Sequence, residues 1–273
     1  MHAVSVTSDA VCGGAATDRM GRHGSLSVDP QVNSVVVDRD PNDDGVALAV
    51  TSPCSDTGAI EVPEADGSRS DMGYTGGDLG GDVAGADWVV SQWGDGDTRS
   101  IAEALSWASS GDLIVVQPGV YEETVDYDGL EVTIRGTLGK DVTYIGGNSG
   151  GLNWDNGETA DARLESISVW TAGSYGMYIV SSDPTISDCR LLYNSSFSAY
   201  IYHYANPVFE DTHFYRNSGS YPQYTYYYTQ PTFRRCRFEE NVSTHGAGLY
   251  VDSYSDVLVE SCSFEGNYAS SYG

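Results

Sequence analysis

Basic residues are scarce in this sequence of 273 residues: lysine and arginine together number 13 against 39 aspartates and glutamates, and Lys140 is the single lysine. The formal net charge of −26 excludes a surface that attracts nucleic-acid phosphates. No apolar run reaches about 18 residues, which excludes a bilayer-spanning helix in this chain. The five cysteines form no CxxC pair, which excludes a zinc ribbon, and their odd number excludes a closed disulfide framework.

Glycine and tyrosine are abundant, with 32 and 20 residues, and this composition favours short strands and turns over helical bundles. The opening residues lack the basic and apolar regions of a signal peptide. The sequence stops at Gly273, partway through a repeat. We therefore expect a fragment of a longer chain.

An internal repeat dominates the second half of the sequence. Successive copies start 23, 24 and 26 residues apart, and a weaker copy begins earlier, at Ala162. Four columns of like residues run through the full copies, and self-similarity at this period is typical of a solenoid. The four full copies are PTISDCRLLYN from Pro184, PVFEDTHFYRN from Pro207, PTFRRCRFEEN from Pro231 and VLVESCSFEGN from Val257.

Alternating runs such as Tyr200–Tyr204 favour strands over the helices of leucine-rich repeats. We predict a parallel β-helix in which residues of one column lie ~4.8 Å apart in successive coils. Two columns are apolar, one is small and one is asparagine. The columns are Ile186, Phe209, Phe233 and Val259; Leu191, Phe214, Phe238 and Phe264; Cys189, Thr212, Cys236 and Cys262; and Asn194, Asn217, Asn241 and Asn267.

The columns also predict the corners of the coils. Asparagine tolerates the left-handed conformation of a sharp bend, and stacked amides hydrogen-bond from coil to coil. The repeated prolines mark corners too, because proline cannot donate to a strand ladder. The cysteine column favours inward-facing free thiols, with a disulfide between Cys236 and Cys262 as the alternative.

A short helix is predicted to cap the first coil. Ser100 and Glu103 have the spacing of a capping box, and apolar residues from Ile101 to Ala108 form one face. We expect Gly111 to end this helix and Leu113–Val116 to be the first strand of the solenoid.

Two resemblances to known families extend this interpretation. The stretch IAEALSWASSGDLIVVQPGVY, residues 101–121, resembles the N-terminal signature of the pectate-lyase-like right-handed β-helix superfamily. The segments CRFEENVSTHGAGLY and CSFEGNYASSYG, from Cys236 and Cys262, resemble the repeats of bacterial polymorphic outer-membrane proteins. The resemblances imply an all-β, right-handed parallel β-helix over residues 87–273. They also imply export to the bacterial cell surface or the extracellular medium.

The first 86 residues differ in character. Stretches at Leu26–Pro30, Ser52–Ala59 and Ser68–Gly77 resemble a tail that follows the last coil in such proteins. Residues 1–77 are therefore interpreted either as the end of a preceding β-helix unit or as a largely irregular segment, with a Gly- and Asp-rich linker at 78–86.

An acidic loop in this part has carboxylates at positions typical of a calcium loop: Asp38, Asp40, Asn42 and Asp44. Its sixth position is Asp43 instead of glycine, and its twelfth is Ala49 instead of glutamate. The pattern favours a solvated turn over a calcium site, and no other cofactor is indicated.

Charged residues beside the inward columns are predicted to form an exterior ribbon. In the related polysaccharide-cleaving enzymes, acidic residues on such a face hold calcium or transfer protons, and arginine engages uronates. Two carboxylates could also serve glycosidase chemistry. The alternative is a structural charge ladder. The candidate catalytic residues are Asp188, Asp211, Arg190, His213 and Arg235.

Tyrosine is concentrated in residues 193–228. Outward tyrosines would form an amphipathic platform for sugar rings or a protein partner, whereas inward ones would fill the coil interior. The candidate binding face comprises Tyr200, Tyr202, Tyr204, Tyr224, Tyr226 and Tyr228.

Two functions follow from these features. The first is a non-enzymatic, adhesin-like surface module that binds a glycan or a cell-surface protein. The second is a secreted polysaccharide lyase or glycoside hydrolase that uses the exterior ribbon. The sequence favours the first, because regular repeats without an irregular catalytic coil are typical of structural modules.

Overall fold

The computed structural model describes residues 83, 85–92, 96–147, 151–171 and 173–272, together with the backbone of four short strands nearer the N-terminus. The chain divides into two compact units, Met1–Ala84 and Gly85–Gly273. The described strands of the first unit form two antiparallel pairs. These pairs are β1 (Val11–Cys12) with β2 (Leu26–Ser27) and β3 (Val32–Val36) with β4 (Gly45–Leu48).

The second unit is a parallel β-solenoid, as the repeat predicts. Each full coil contributes one strand to each of three parallel sheets, here named A, B and C, and the seven strands of sheet B correspond to seven coils. Sheet A contains β5 (Trp88–Val90), β6 (Leu113–Val116), β9 (Thr133–Gly136), β12 (Arg163–Glu165), β15 (Thr185–Ser187), β18 (Val208–Glu210), β22 (Thr232–Arg234) and β26 (Leu258–Glu260).

The other two sheets follow sheet A in every coil. Sheet B contains β7 (Gly119–Tyr121), β10 (Thr143–Gly147), β13 (Ser168–Thr171), β16 (Arg190–Leu192), β19 (His213–Tyr215), β23 (Arg237–Glu239) and β27 (Ser263–Glu265). Sheet C contains β8 (Thr124–Asp126), β11 (Gly151–Trp154), β14 (Tyr175–Val180), β17 (Phe197–Tyr202), β21 (Gln223–Tyr226) and β25 (Tyr250–Asp252). A small parallel sheet contains β20 (Ser218–Gly219), β24 (Val242–His245) and β28 (Tyr268–Tyr272).

The predicted apolar columns form the core in all of their described coils but the last. Phe209 pairs with Phe233 across adjacent coils of sheet A, and Phe214 pairs with Phe238 in sheet B. Their rings stack with centroids 5.0 and 4.7 Å apart, and all four side chains are fully buried. Burial of a large apolar side chain stabilises a fold by about 1.5–3 kcal/mol, so these files are the main support of the coils.

The asparagine column is a continuous hydrogen-bonded ladder. The amide of Asn194 donates to Oδ1 of Asn217 at 2.8 Å, that of Asn217 to Asn241 at 3.0 Å, and that of Asn241 to Asn267 at 2.8 Å. The backbone N–H of each donor residue binds the same oxygen. At the N-terminal end of the ladder, Oδ1 of Asn194 is left without a hydrogen-bond partner.

The left-handed backbone at this corner lies one residue before the position we predicted. Tyr193, Arg216 and Glu240 have φ of 54°, 51° and 52°, whereas the asparagines that follow them have ordinary negative φ. The asparagines are therefore required for their side-chain amides and not for an unusual backbone conformation.

The predicted cap is the helix α1 (Ile101–Trp107), which begins at Ser100. The Ser100 hydroxyl accepts from the N–H of Glu103 at 3.4 Å. The stronger cap is the carboxylate of Glu123, which accepts from the N–H groups of Ile101 and Ala102 at 2.9 Å and from the Ser100 hydroxyl at 2.6 Å. A carboxylate at this end also interacts favourably with the positive end of the helix dipole.

Two details of the predicted cap are wrong. The helix ends at Trp107 and not at Gly111, because Ala108 is already extended. The first strand is β5, which pairs in parallel with β6, so the solenoid begins one strand before Leu113. Within the described part of the chain, no helix has the length and hydropathy that a bilayer crossing requires.

Candidate functional site

The predicted exterior ribbon lies at the corner between sheets A and B. Asp188, Asp211 and Arg235 occupy this corner with left-handed φ of 50°, 49° and 52°. Arg190, His213 and Arg237 begin the next strands in sheet B, where they pair with one another from coil to coil. We name these six side chains the charge ribbon.

Neighbouring coils supply ion-pair partners at the corner. The Nε and Nη2 atoms of Arg235 donate to both oxygens of Asp211, at 2.9 and 2.8 Å. Asp188 pairs with Lys140 and accepts from the Ser166 hydroxyl at 2.9 Å. The two candidate acids are therefore each held by a cation.

The strand side of the ribbon is paired in the same way. Arg190 pairs with Asp141, and Arg237 lies 2.9 Å from Glu239 and 3.1 Å from Glu265. Nε2 of His213 lies 2.9 Å from Glu239. Four of the five candidate catalytic residues thus pair with an opposite charge, and His213 is hydrogen-bonded to Glu239, which is the arrangement of a structural charge ladder.

The ribbon is poorly suited to proton donation. The Arg235 guanidinium holds the pKa of Asp211 below its usual value, so this carboxyl is ionised at neutral pH. Partial burial lowers the pKa of His213, although its hydrogen bond to Glu239 opposes that shift. The ionised Asp211 carboxylate could act as a base or bind a cation, and the neutral His213 imidazole could act as a base, but neither group is a ready acid.

Sheet C carries a different outward surface. Tyr178, Tyr200, Tyr224 and Tyr250 form one column across four consecutive coils, and Tyr202 and Tyr226 form part of a second. These side chains are half-buried, whereas the alternate residues such as Ile201 and Thr225 point inward and are buried. We name the outward aromatic side chains of β14, β17, β21 and β25 the tyrosine face. Two of the candidate binding residues, Tyr204 and Tyr228, lie at the adjoining corner and are 54% and 40% exposed.

The tyrosine rings stack along the solenoid axis. The ring planes of Tyr178 and Tyr200 differ by 3° with centroids 5.7 Å apart, and those of Tyr202 and Tyr226 differ by 9° at 5.6 Å. Tyr224 is tilted by 47° from Tyr200. Stacked rings cover each other's faces, so the surface presents mainly ring edges and hydroxyl groups.

Acidic side chains border the tyrosine face, and its strands lack basic side chains. None of the six described strands of sheet C contains lysine or arginine. Asp126 lies in register with Tyr178, two coils before it. Asp252 lies in register with Tyr226, one coil after it. Desolvation and the neighbouring Asp126, Glu158 and Asp128 raise the pKa of Asp155, which indicates carboxylates that repel one another.

A serine and a histidine meet at the corner beside the tyrosine face. The Ser181 hydroxyl lies 2.8 Å from Nδ1 of His203 and also donates to the His203 carbonyl at 2.9 Å. The His203 ring stacks on Tyr227, with centroids 5.7 Å apart. The periodicity of the tyrosines did not reveal this pair.

Other residues of the surface were missed for similar reasons. Tyr178 and Tyr250 belong to the same column as Tyr200 but lie outside the dense tyrosine run. Only their register in the repeat, one coil before Tyr200 and one after Tyr224, could have identified them.

The candidate calcium ligands Asp38, Asp40, Asn42 and Asp44 lie outside the described residues. Within the described residues, no group of three or more His, Cys, Asp or Glu side chains is placed to hold a metal ion.

Comparisons with known proteins agree with this architecture. Residues 128–273, more than half of the chain, match the family model described as the right handed beta helix region. No curated protein sequence matches the chain.

Two solved structures are similar to the solenoid, both with a TM-score of 0.50. One is a pectin methylesterase in complex with a hexasaccharide, at 15% identity, covering 64% of this chain and 66% of that one. The other is pectin methylesterase from carrot, at 16% identity, covering 67% of this chain and 64% of that one. The chain thus spans slightly less than two thirds of either protein, and at such identity the similarity shows the fold alone.

Proposed function

Because the chain belongs to the right-handed β-helix family, we propose that it is a carbohydrate-binding β-helix whose tyrosine face holds a glycan chain along the solenoid axis. The observation that carries this proposal is the column Tyr178, Tyr200, Tyr224 and Tyr250, which repeats one residue type over four consecutive coils. A core position would explain such repetition by packing, but this column is outward.

The spacing of the column suits a glycan better than a peptide. Successive coils are ~4.8 Å apart, whereas an extended peptide advances ~3.3 Å per residue. The coil spacing is comparable to the length of one pyranose ring, so a glycan parallel to the axis would meet one tyrosine hydroxyl per sugar. Tyrosine also presents a large amphipathic contact at a low cost in side-chain entropy.

The charge of the surface favours a glycan without carboxylates. The strands of sheet C contain no basic residue, and Asp126, Asp155 and Asp252 border the tyrosines. Uronates would be repelled there, because no positive side chain of these strands offsets their charge. Hydroxyl-rich neutral sugars match the ring edges and phenolic hydroxyls that the stacked tyrosines present.

Two further arguments support the proposal. One structure of similar fold, the pectin methylesterase of 15% identity, was solved with a bound hexasaccharide. The resemblance of the repeats to bacterial polymorphic outer-membrane proteins suggests display at a cell surface or secretion, where glycans are available.

The test is retention of the full chain in native gels that contain neutral or acidic polysaccharides. We expect retention by a neutral glycan, and at least about tenfold weaker affinity for Tyr200→Ala combined with Tyr224→Ala, since a loss of 1.4 kcal/mol is tenfold. Tyr144→Ala is the matched control, because Tyr144 lies on sheet B and its hydroxyl donates to the Asp141 carbonyl. Equal weakening by the control variant, or no retention in any gel, would overturn the proposal.

An enzymatic function of the charge ribbon is the second candidate. The observation that favours it is that the ionised Asp211 lies at the exposed corner two residues before the half-buried His213 of β19. Incubation with pectin, polygalacturonate and alginate, with and without calcium, would reveal unsaturated products, new reducing ends or released methanol. Turnover that disappears in Asp211→Ala but survives the tyrosine double variant would favour the ribbon over the tyrosine face.

A further inference from the structure

The corner between sheets A and B is short in every described coil but one. Each of the other corners contains two residues, such as 188–189 between β15 and β16, whereas residues 137–142 join β9 to β10. We name residues 137–142 the strap. Gly139 of the strap has φ of 85°, a left-handed conformation that glycine adopts without steric cost. The strap is thus longer than the solenoid needs to turn this corner.

The strap reaches two coils along the solenoid. Nζ of Lys140 pairs with Asp188, and Oδ1 of Asp141 accepts from Nη2 of Arg190 at 2.5 Å. Both partners lie in the coil of β15 and β16, whereas the strap leads into β10, whose neighbour in sheet B is β13. The strap therefore crosses the coil that contains β13 and is fastened to the coil beyond it.

The strap covers one outward position of sheet B. Ser168 begins β13, and its hydroxyl donates to the Lys140 carbonyl at 2.6 Å. Ser168 is fully buried, whereas the other residues of its column are half-buried or exposed: Val120, Tyr144, Arg190, His213, Arg237 and Ser263. The strap thus shields from solvent a position that the repeat presents in every other coil of this sheet.

Ion pairs hold the strap more than apolar packing does. Leu138 and Val142, its two apolar side chains, are each 41% exposed. The side chains of both ion pairs are partly exposed, so salt reaches them. The Debye length falls from about 10 Å at 0.1 M salt to about 3 Å at 1 M. A segment with few buried apolar contacts also opens at a lower free energy than the core around it.

We propose that the strap is a conformational switch that is closed at low ionic strength and opens when salt screens its two ion pairs. Opening exposes the Ser168 hydroxyl and releases Asp188 and Arg190, two members of the charge ribbon. In the closed state these two side chains bind Lys140 and Asp141 of the strap, so the strap competes with any ligand for this end of the ribbon. The switch is independent of the tyrosine face, which lies on sheet C.

The test uses the single lysine of the chain, Lys140, which gives a lysine-specific endoproteinase one cleavage site, inside the strap. When closing is fast, the cleavage rate follows the population of the open state. We expect cleavage of the full chain to be roughly threefold faster in about 0.5 M than in about 0.02 M sodium chloride. Rates are normalised to a synthetic peptide of the strap sequence, which removes the effect of salt on the protease.

A double variant removes both ion pairs without changing the strap sequence that the protease binds. Asp188→Asn combined with Arg190→Gln should be cleaved roughly fivefold faster than the parent at low salt, and salt should have little further effect. Cleavage of the double variant at the parental rate would overturn the proposal. A parental rate that does not change with salt would overturn it as well.

Asp211→Asn is the matched control. Asp211 occupies the same corner one coil after Asp188, with φ of 49° against 50°, but it pairs with Arg235 and not with the strap. Asparagine tolerates this left-handed conformation, so neither substitution strains the corner. We expect the control to keep the parental cleavage rate, and an increase as large as that of the double variant would contradict the proposal.

Hydrogen exchange separates opening of the strap from unfolding of the coil beneath it. In the double variant, the amides of residues 137–142 should exchange faster than in the parent, while those of β13 keep their parental protection. Equal loss of protection in β13 would overturn the proposal, because the strap would then not open as a separate unit.

Discussion

The charge ribbon and the tyrosine face are built by the same repeat, but they differ in which side chains lie above one another in successive coils. On the ribbon, charged side chains are compensated by opposite charges from other coils: Asp211 of one coil binds Arg235 of the next with two hydrogen bonds. On the tyrosine face one residue type repeats, because aromatic rings attract each other at the coil spacing. Identical charges at that spacing would repel.

This difference distinguishes a surface pattern that the stacked coils need for stability from one that indicates ligand binding. Compensating charges are what a solenoid needs in order to place charged side chains on its surface, so the ribbon is explained by stability. Four tyrosines in one outward column stabilise one another modestly, yet threonine or serine would be tolerated at the same positions. The tyrosine face is therefore the better indication of a ligand.

The largest expected effect tests the premise that both surfaces depend on one rigid stack. Asn217→Leu removes the acceptor of the Asn194 amide and N–H and the donor to the Leu191 carbonyl. Unsatisfied buried polar groups cost about 1–3 kcal/mol each. We therefore expect this substitution to lower the free energy of unfolding, measured by urea denaturation, by roughly 3 kcal/mol. Circular dichroism measures this change.

Asn267→Leu is the control for that variant. Asn267 is half-buried at the end of the ladder, where water can replace its amide. A loss there as large as that of Asn217→Leu would show that the ladder does not act through burial, and the two surfaces could then be treated as independent.

A smaller effect distinguishes the two surfaces directly. Asp211→Arg places two guanidiniums side by side at one corner, and we expect the melting temperature to fall by about 1–2 °C. Combining it with Arg235→Asp reverses the pair and should restore the original value. On the tyrosine face, Tyr200→Phe keeps the ring stack and should leave the melting temperature unchanged while weakening glycan retention. Equal melting curves for Asp211→Arg and Tyr200→Phe would remove the distinction.

The repeat made much of the fold predictable from sequence. In a solenoid, residues one period apart are in contact, so aligning Pro184–Asn194 with its later copies already gives the pairs Asn194–Asn217 and Phe214–Phe238. The same alignment identified the ribbon, because Asp211 and Arg235 share a column. Local signals placed α1 correctly, since Ser100 is a good helix cap.

Contacts outside the period could not be predicted in this way. Glu123 caps α1 from the bend between β7 and β8, where the sequence has no repeat signature. Lys140 reaches Asp188 across 48 residues, which is two coils and not one. Alternation in Tyr200–Tyr204 left open which side faces inward. The structure decides this, because Ala199 and Ile201 are buried in the interior and Tyr200 and Tyr202 are only half-buried on the outer side.

The smallest effect concerns acid, and its sign should differ between the two surfaces. Arg235 lowers the pKa of Asp211, so the stability from this pair is present above the unfolded pKa of about 3.9 and is lost as the pH falls through the folded value. Desolvation and neighbouring carboxylates raise the pKa of Asp155, so its ionisation weakens folding at neutral pH, and that penalty disappears as the pH falls through the folded pKa towards the unfolded one.

Neutral substitutions at these two positions should therefore have opposite consequences. At pH 7 we expect Asp211→Asn to lower the melting temperature and Asp155→Asn to raise it, each by an amount worth less than about 1 kcal/mol because both groups are exposed to solvent. Near pH 3, where the parental Asp155 is protonated, the benefit of Asp155→Asn should vanish. Shifts of the same sign at pH 7 would mean that a cation compensates the negative charge of the carboxylates beside the tyrosine face. A negatively charged glycan could then bind there as well as a neutral one.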